Sequence, residues 1–182
     1  MTVHSTKVLQ YRPLQFVDGT ILIDSRFLKK IYEGYGFSVA HRWEGVSSSG
    51  SFEVFFENPN DSGMTVFVLL LEAISTGQAW IDVYRNNAVT ASGTAMGISN
   101  VNFGSANESV VNLEYDGTYT IGDLVHSTVV PGGSLVRAVG GSTEFGESVV
   151  IPEGGNFIVK VTNKSASSED MSLRLLWWEE SL

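Results

Sequence analysis

A chain of 182 residues with 43% apolar side chains is long enough for one domain with a full core. Only 17% of the residues are charged, below the usual quarter, and the formal net charge of −9 repels phosphate, which argues against direct contact with nucleic acid. The absence of cysteine excludes disulfides, thiolate metal sites and a cysteine nucleophile.

The opening stretch MTVHSTKVLQYRPLQF lacks the apolar core of a signal peptide. Residues 1–36 are nevertheless too apolar for disorder, with Leu14, Phe16, Val17 and Ile21 among their large side chains. They read as an N-terminal arm that lies on its own domain or on a neighbour. A short helix is predicted inside it over DSRFLKKIYEG, with Asp24 or Ser25 as cap and Gly34 as stop.

From Phe37 onward the period is two, the signature of half-buried strands. FSVAHRW alternates, and SFEVFFEN puts Phe52, Val54 and Phe56 on one face with Glu53 and Glu57 opposite. TVFVLLLEAIS is apolar on both faces and reads as a central strand covered on both sides. It is also the longest apolar run, far too short to span a bilayer. AWIDVYR sets Ile81 and Val83 against Trp80, Asp82 and Tyr84. Residues 86–107 carry little periodicity, and a loop of that length is unusual unless it contacts something. YTIGDLVHSTVV, SLVRAVG and SVVIP follow as further strands. FIVKVTN and MSLRLLWW form a closing hairpin, in which Trp177 belongs to the core face and Trp178 points toward a neighbouring sheet, the arm or a partner. NPNDSG, PGGS, VGGS and PEGGN punctuate the strands as turns. About eight evenly spaced strands predict an all-β fold, an antiparallel eight-stranded β-sandwich over residues 37–182, with a single jelly roll favoured over an immunoglobulin-like sandwich.

Candidate sites are few. His4, His41 and His126 stand in no metal-binding spacing and read as structural or surface residues. Glu53 and Glu57 lie roughly 13 Å apart along an extended strand, too far for a retaining carboxylate pair. Glu114, Asp116 and Asp123 gather acids without an EF-hand spacing, so charged turn ends outweigh a calcium site. Asn60, Asn107 and Asn163 open N-x-S sequons that mean little without a secretion signal. Trp80, Asp82 and Tyr84 share a strand face: two aromatics flanking a carboxylate can grip a sugar ring, although an aromatic face covered by the arm or by a neighbouring subunit is the plainer reading. No catalytic residue, metal or cofactor is expected.

The FENPNDSGMTVFVLLLEAIS hairpin, the IDVYRNN strand and the closing VIPEGGNFIVKVTNKSASSEDMSLRLLWWEE together resemble virion structural proteins of bacterial and archaeal viruses. The shared features are an ENP turn, a PGG turn and a P-x-G-x-N lead-in to a V-x-N-x-S strand, and they cover most of residues 37–180. These motifs are turn chemistry and carry no active-site residues. The resemblance implies a capsid, head-decoration or spike subunit on a single jelly roll. Such a subunit is made in the host cytoplasm, resides in the virion and forms symmetric multimers with copies of itself or a major capsid protein. The expected assembly contacts are Leu14, Phe16, Val17, Ile21 and Trp178. The competing expectation is a carbohydrate- or receptor-binding sandwich using Trp80, Asp82 and Tyr84.

Overall fold

The computed structural model describes residues 15–17, 20–22, 26–131, 142–143 and 149–181. In chain order the elements are β1 (Gln15–Val17), β2 (Thr20–Leu22), α1 (Arg26–Tyr32), β3 (Gly36–Val46), β4 (Ser51–Glu57), β5 (Thr65–Ser75), β6 (Ala79–Arg85), β7 (Ala88–Ala91), β8 (Thr94–Ala95) and β9 (Ser99–Asn100). They continue with β10 (Asn112–Tyr115), β11 (Thr118–Thr120), β12 (Asp123–Val130), β13 (Ser142–Thr143), β14 (Val149–Ile151), β15 (Asn156–Asn163) and β16 (Glu169–Glu180). Strand accounts for 59% and helix for 4%, which places the protein in the all-β class. Among the described residues no helix is long and apolar enough to cross a membrane.

Two large antiparallel sheets pack face to face. The first runs β13-β5-β16-β3-β9, with β14 also on β5, and the second runs β12-β6-β15-β4-β10-β8. Four of the pairings nest in sequence: β3 with β16, β4 with β15, β5 with β14, and β6 with β12. The core lies between the sheets and is filled from both, by Phe37, Leu71, Leu173, Leu175 and Trp177 on one side and Phe56, Ile81, Val83 and Val159 on the other. Phe56 meets Trp177 edge-on at 5.3 Å across the layers.

Each of β4, β6, β15 and β16 has one face on this core, as expected, and the in-out alternation of burial is broken only where Phe55, Ile158 and Trp178 are covered on the outward face. In β5 the period slips. Leu176 pairs with Leu70 but Trp177 pairs with Val68, so Leu69 is an extra residue. The bulge lets Val66 and Val68 face inward and Leu71 and Ala73 do so too, across an interval of three. That slip is one reason the segment is apolar on both sides; the other is that Phe67 is stacked under Trp178.

Three expectations differ from the structure. The 86–107 connection is not structureless, since β7, β8 and β9 form within it and pair with β11, β10 and β3. Strands of two to four residues are too short to carry a period, so the pattern could not announce them. YTIGDLVHSTVV is two strands, β11 and β12, parted at Ile121–Gly122. Any Cβ on Gly122 would fall 2.0 Å from the Arg85 carbonyl oxygen, so only glycine fits that break. The two main paths also hold more strands than the expected eight. The SLVRAVG segment lies outside the described residues.

The arm region contains the expected helix, seven residues long and ended by Gly34 at φ +81°. Three asparagines from residues 100–107 cap its last turn: Asn102 donates to the Tyr32 carbonyl, Asn100 to Gly34, and Asn107 to Glu33 and Gly34. The helix lies on the chain's own first sheet. Phe27 sits 6.0 Å from Trp178, and Lys30 bridges to Glu180 at 3.4 Å.

Candidate functional site

Sheet register assembles the outer face of the second sheet from residues far apart in sequence. One row reads Ser127, Asp82, Lys160 and Glu53 across β12, β6, β15 and β4. A second reads Val129, Trp80, Thr162 and Ser51, and a third reads Leu124, Tyr84, Ile158, Phe55 and Glu114. The ladder of Trp80, Asp82 and Tyr84 therefore stands in the middle of a broad face, as the period of β6 requires.

Each rung already has partners. Lys164 Nζ sits 4.0 Å above the Trp80 ring, a cation–π contact that leaves the indole 46% exposed. Ser127 Oγ donates to Asp82 Oδ1 at 2.5 Å, and Lys160 Nζ is 2.7 Å from Glu53 Oε1. Burial and then the neighbouring Asp82 charge push the Tyr84 phenol up. The charges alternate along the central row, with the Lys160 ammonium standing between the Asp82 and Glu53 carboxylates.

One end of the face is roofed. Tyr119 of β11 stacks on Phe55 at 5.4 Å, and its hydroxyl accepts from the Gly117 amide. Phe55 and Ile158 are buried as a result although both point away from the main core. Burial, with the Glu114 charge second, raises the Tyr119 phenol to about 12. The other end is bare: Leu124, Val125 and Val129 are each about half exposed on β12, an edge strand whose outer margin pairs with nothing among the described residues.

The remaining sequence candidates scatter. His41 lies between Trp43 (4.4 Å) and Tyr115 (4.9 Å), and Trp43 stacks on Phe52 at 3.6 Å, so this cluster pins the sheets together along one margin. His126 is on β12, at the opposite margin, and His4 lies outside the described residues. Asp123 pairs with Arg85 and accepts from Asn86, while Asp116 occupies a left-handed turn position. Among the described residues no three His, Asp or Glu side chains converge to hold a metal ion. The sequon asparagines Asn107 and Asn163 are structural. Asn163 is fully buried, and its amide ties Val46 and Ser167 while its Oδ1 holds Ser165.

Of the expected assembly contacts, Leu14 lies outside the described residues. Phe16, Val17 and Ile21 are seen only as backbone of a small hairpin, with Phe16 opposite Ile21 and Val17 opposite Thr20. Trp178 is 6% exposed, stacked on Phe67 at 4.7 Å and covered by Phe27 of the same chain.

Sequence reasoning assigned no role to Glu179. It is 1% exposed. Its carboxylate accepts from Ser109 Oγ (2.5 Å), the Val110 amide and Trp177 Nε1, which fastens the segment before β10 to the end of β16. Burial raises its pKa against the pull of those hydrogen bonds. The sequence matches no protein-family model, and no curated protein matches it.

Proposed function

We propose that the protein is a virion structural subunit: a single jelly roll that builds or decorates a shell by contacts with copies of itself or with a major capsid protein. The observation that carries the reading is the nested pairing of β3 with β16, β4 with β15, β5 with β14 and β6 with β12. Nesting of this kind arises when one long antiparallel ribbon rolls over on itself, and the rolled double sheet is the architecture of many capsid domains. The short strands β7 to β11 are then decoration on an eight-stranded frame. The acidic net charge suits an outward position on a shell, away from the genome. The arm, with Phe16, Val17 and Ile21 on its hairpin, serves as one assembly element, and the bare edge of β12 as another.

Immunogold labelling and mass spectrometry of particles purified from cells carrying the gene test this directly. Label on intact particles is the expected result; a chain found only in the soluble fraction of such cells would refute it. The double substitution Phe16→Asp with Ile21→Asp should weaken incorporation if the arm is an assembly element.

The second reading is a carbohydrate-binding sandwich, since lectin domains share this architecture. It is favoured by the exposed Trp80 ring beside Asp82 and Tyr84. A glycan array separates the two. Saccharide binding lost in Trp80→Ala would support the second reading; no binding would leave the structural role alone.

A further inference from the structure

Two glutamates on the outer face of the second sheet have no basic partner. Register places Glu57 of β4 opposite Asn112 of β10, and Phe55 opposite Glu114, so the two acids stand diagonally on neighbouring strands. Asn112 Nδ2 donates to Glu57 Oε2 at 3.2 Å. Glu114 stands beside the Tyr119 phenol, but its Oε1 is buried and accepts no hydrogen bond among the described residues. No lysine or arginine among the described residues pairs with either carboxylate, and Lys160 on the adjoining β15 is taken by Glu53. A buried carboxylate oxygen without a donor is costly, and a cation is the donor that suits it best. Both glutamates line a groove of about 520 Å³ beside β7 and β8, with Val89, Met96 and Ile98 as apolar walls. The groove is open, since Val89, Ser92, Ala95 and Asn112 along it are exposed. Its chemistry fits a cation carried on an apolar stem.

The sequence supplies such a group. Residues 1–17 hold Lys7 and Arg12 and no acid, in a chain whose net charge is −9. Arg12 follows Tyr11 and precedes Pro13 and Leu14, a guanidinium in apolar company. Its planar fork of donors can meet two carboxylates at once, which suits it to the pair better than a lysine ammonium. Lys7 lies five positions away, roughly 17 Å along an extended chain, so one cation serves both acids. The groove of another copy is the one within easy reach. In the arm, β1 folds back on β2 with Gln15 opposite Leu22, and α1 begins at Arg26. That helix lies on the first sheet, at Trp178 and Glu180, whereas the groove opens on the outer face of the second.

We propose that Arg12 of one copy enters the groove beside β7 and β8 of a neighbouring copy and bridges Glu57 and Glu114. This rests on the reading of the protein as a self-assembling subunit and names the receptor for its arm. Charge exchange in the full-length chain tests it. Arg12→Glu should weaken self-association by about 30-fold or more in sedimentation velocity, and Lys7→Glu far less. A groove variant, Glu57→Lys with Glu114→Gln, should weaken it to a similar extent; circular dichroism and thermal melting establish that it folds. Mixed, the Arg12→Glu chain and the groove variant should assemble again, because each arm then finds a groove of opposite charge on the other chain. If wild-type protein assembles and Arg12→Glu assembles equally well, this contact is wrong while the assembly reading stands. If assembly returns only when both sets of changes share one chain, the arm binds its own groove and the proposal is overturned. If neither the mixture nor the combined chain recovers, the groove is not the receptor. If wild-type protein is monomeric at every concentration, the contact and self-assembly fall together.

Discussion

The two outer faces of the sandwich are covered by different means. On the first sheet a sequence-local device does the work: α1, just upstream of β3, lays Phe27 over Trp178, with Phe67 stacked beneath. On the second sheet the cover is remote. Tyr119 of β11 comes down on Phe55 of β4, and the rest of the face, around Trp80 and Val129, stays open. A covered face contributes to stability in cis; an open one is free to meet something else. The contrast teaches that aromatic residues in equivalent outward positions of this fold have unlike roles, decided by what the connections drape over them.

Substitutions can break that contrast, and the core sets the scale. Trp177→Ala, which empties the space between the sheets, should cost about 3–5 kcal/mol. Trp178→Ala, on the face covered by α1, should cost about 2–3 kcal/mol. Equal melting temperatures for the two variants would show that the helix packs as firmly as the core. Phe55→Ala should fall in the same range as Trp178→Ala, because the β11 roof buries it to 3% exposure. If chemical denaturation finds Phe55→Ala neutral, the roof does not hold in solution.

Two of the three glutamates of β16, Glu169 and Glu179, sharpen the comparison through pH. Glu169, at the turn, accepts from the Thr76, Ser167 and Ser165 hydroxyls, which hold its pKa below the ordinary carboxylate value. Its contribution is present above that ordinary value and is lost as the pH falls through the depressed one. Glu179, near the α1 end, has its pKa raised by burial. Its contribution is complete below the ordinary carboxylate value and is lost as the pH rises through the raised one. Melting temperatures from acid to neutral pH should therefore show Glu169→Gln most harmful at neutral pH, and Glu179→Gln gaining on the wild type as the pH rises. Parallel curves for both variants would contradict the opposite environments. The smallest effect is expected at Trp80→Ala, within about 0.5 kcal/mol, since half the ring is already in water.

Much of this was legible in the sequence where the pattern is local. The period of two marked β4, β6, β15 and β16, the turn glycines marked their ends, and Asp24 to Gly34 marked the helix. The ladder of Trp80, Asp82 and Tyr84 was legible for the same reason. What the sequence concealed depends on partners distant along the chain. Phe55 sits among residues read as solvent-facing, and its cover lies more than sixty positions later in β11. Asn163 stood out only as the start of a sequon, yet it bonds Val46 across 117 positions. Glu179 carried no signal of its own, because Ser109, which bonds it, lies 70 positions away. Lys164 over Trp80 becomes predictable only once Thr162 is known to lie opposite Trp80.

The central claim is that this sandwich works by assembling, and sedimentation velocity of the purified full-length chain across a wide concentration range tests it most directly. The account predicts discrete species larger than one chain that grow with concentration. A single monomeric boundary at every concentration would contradict it.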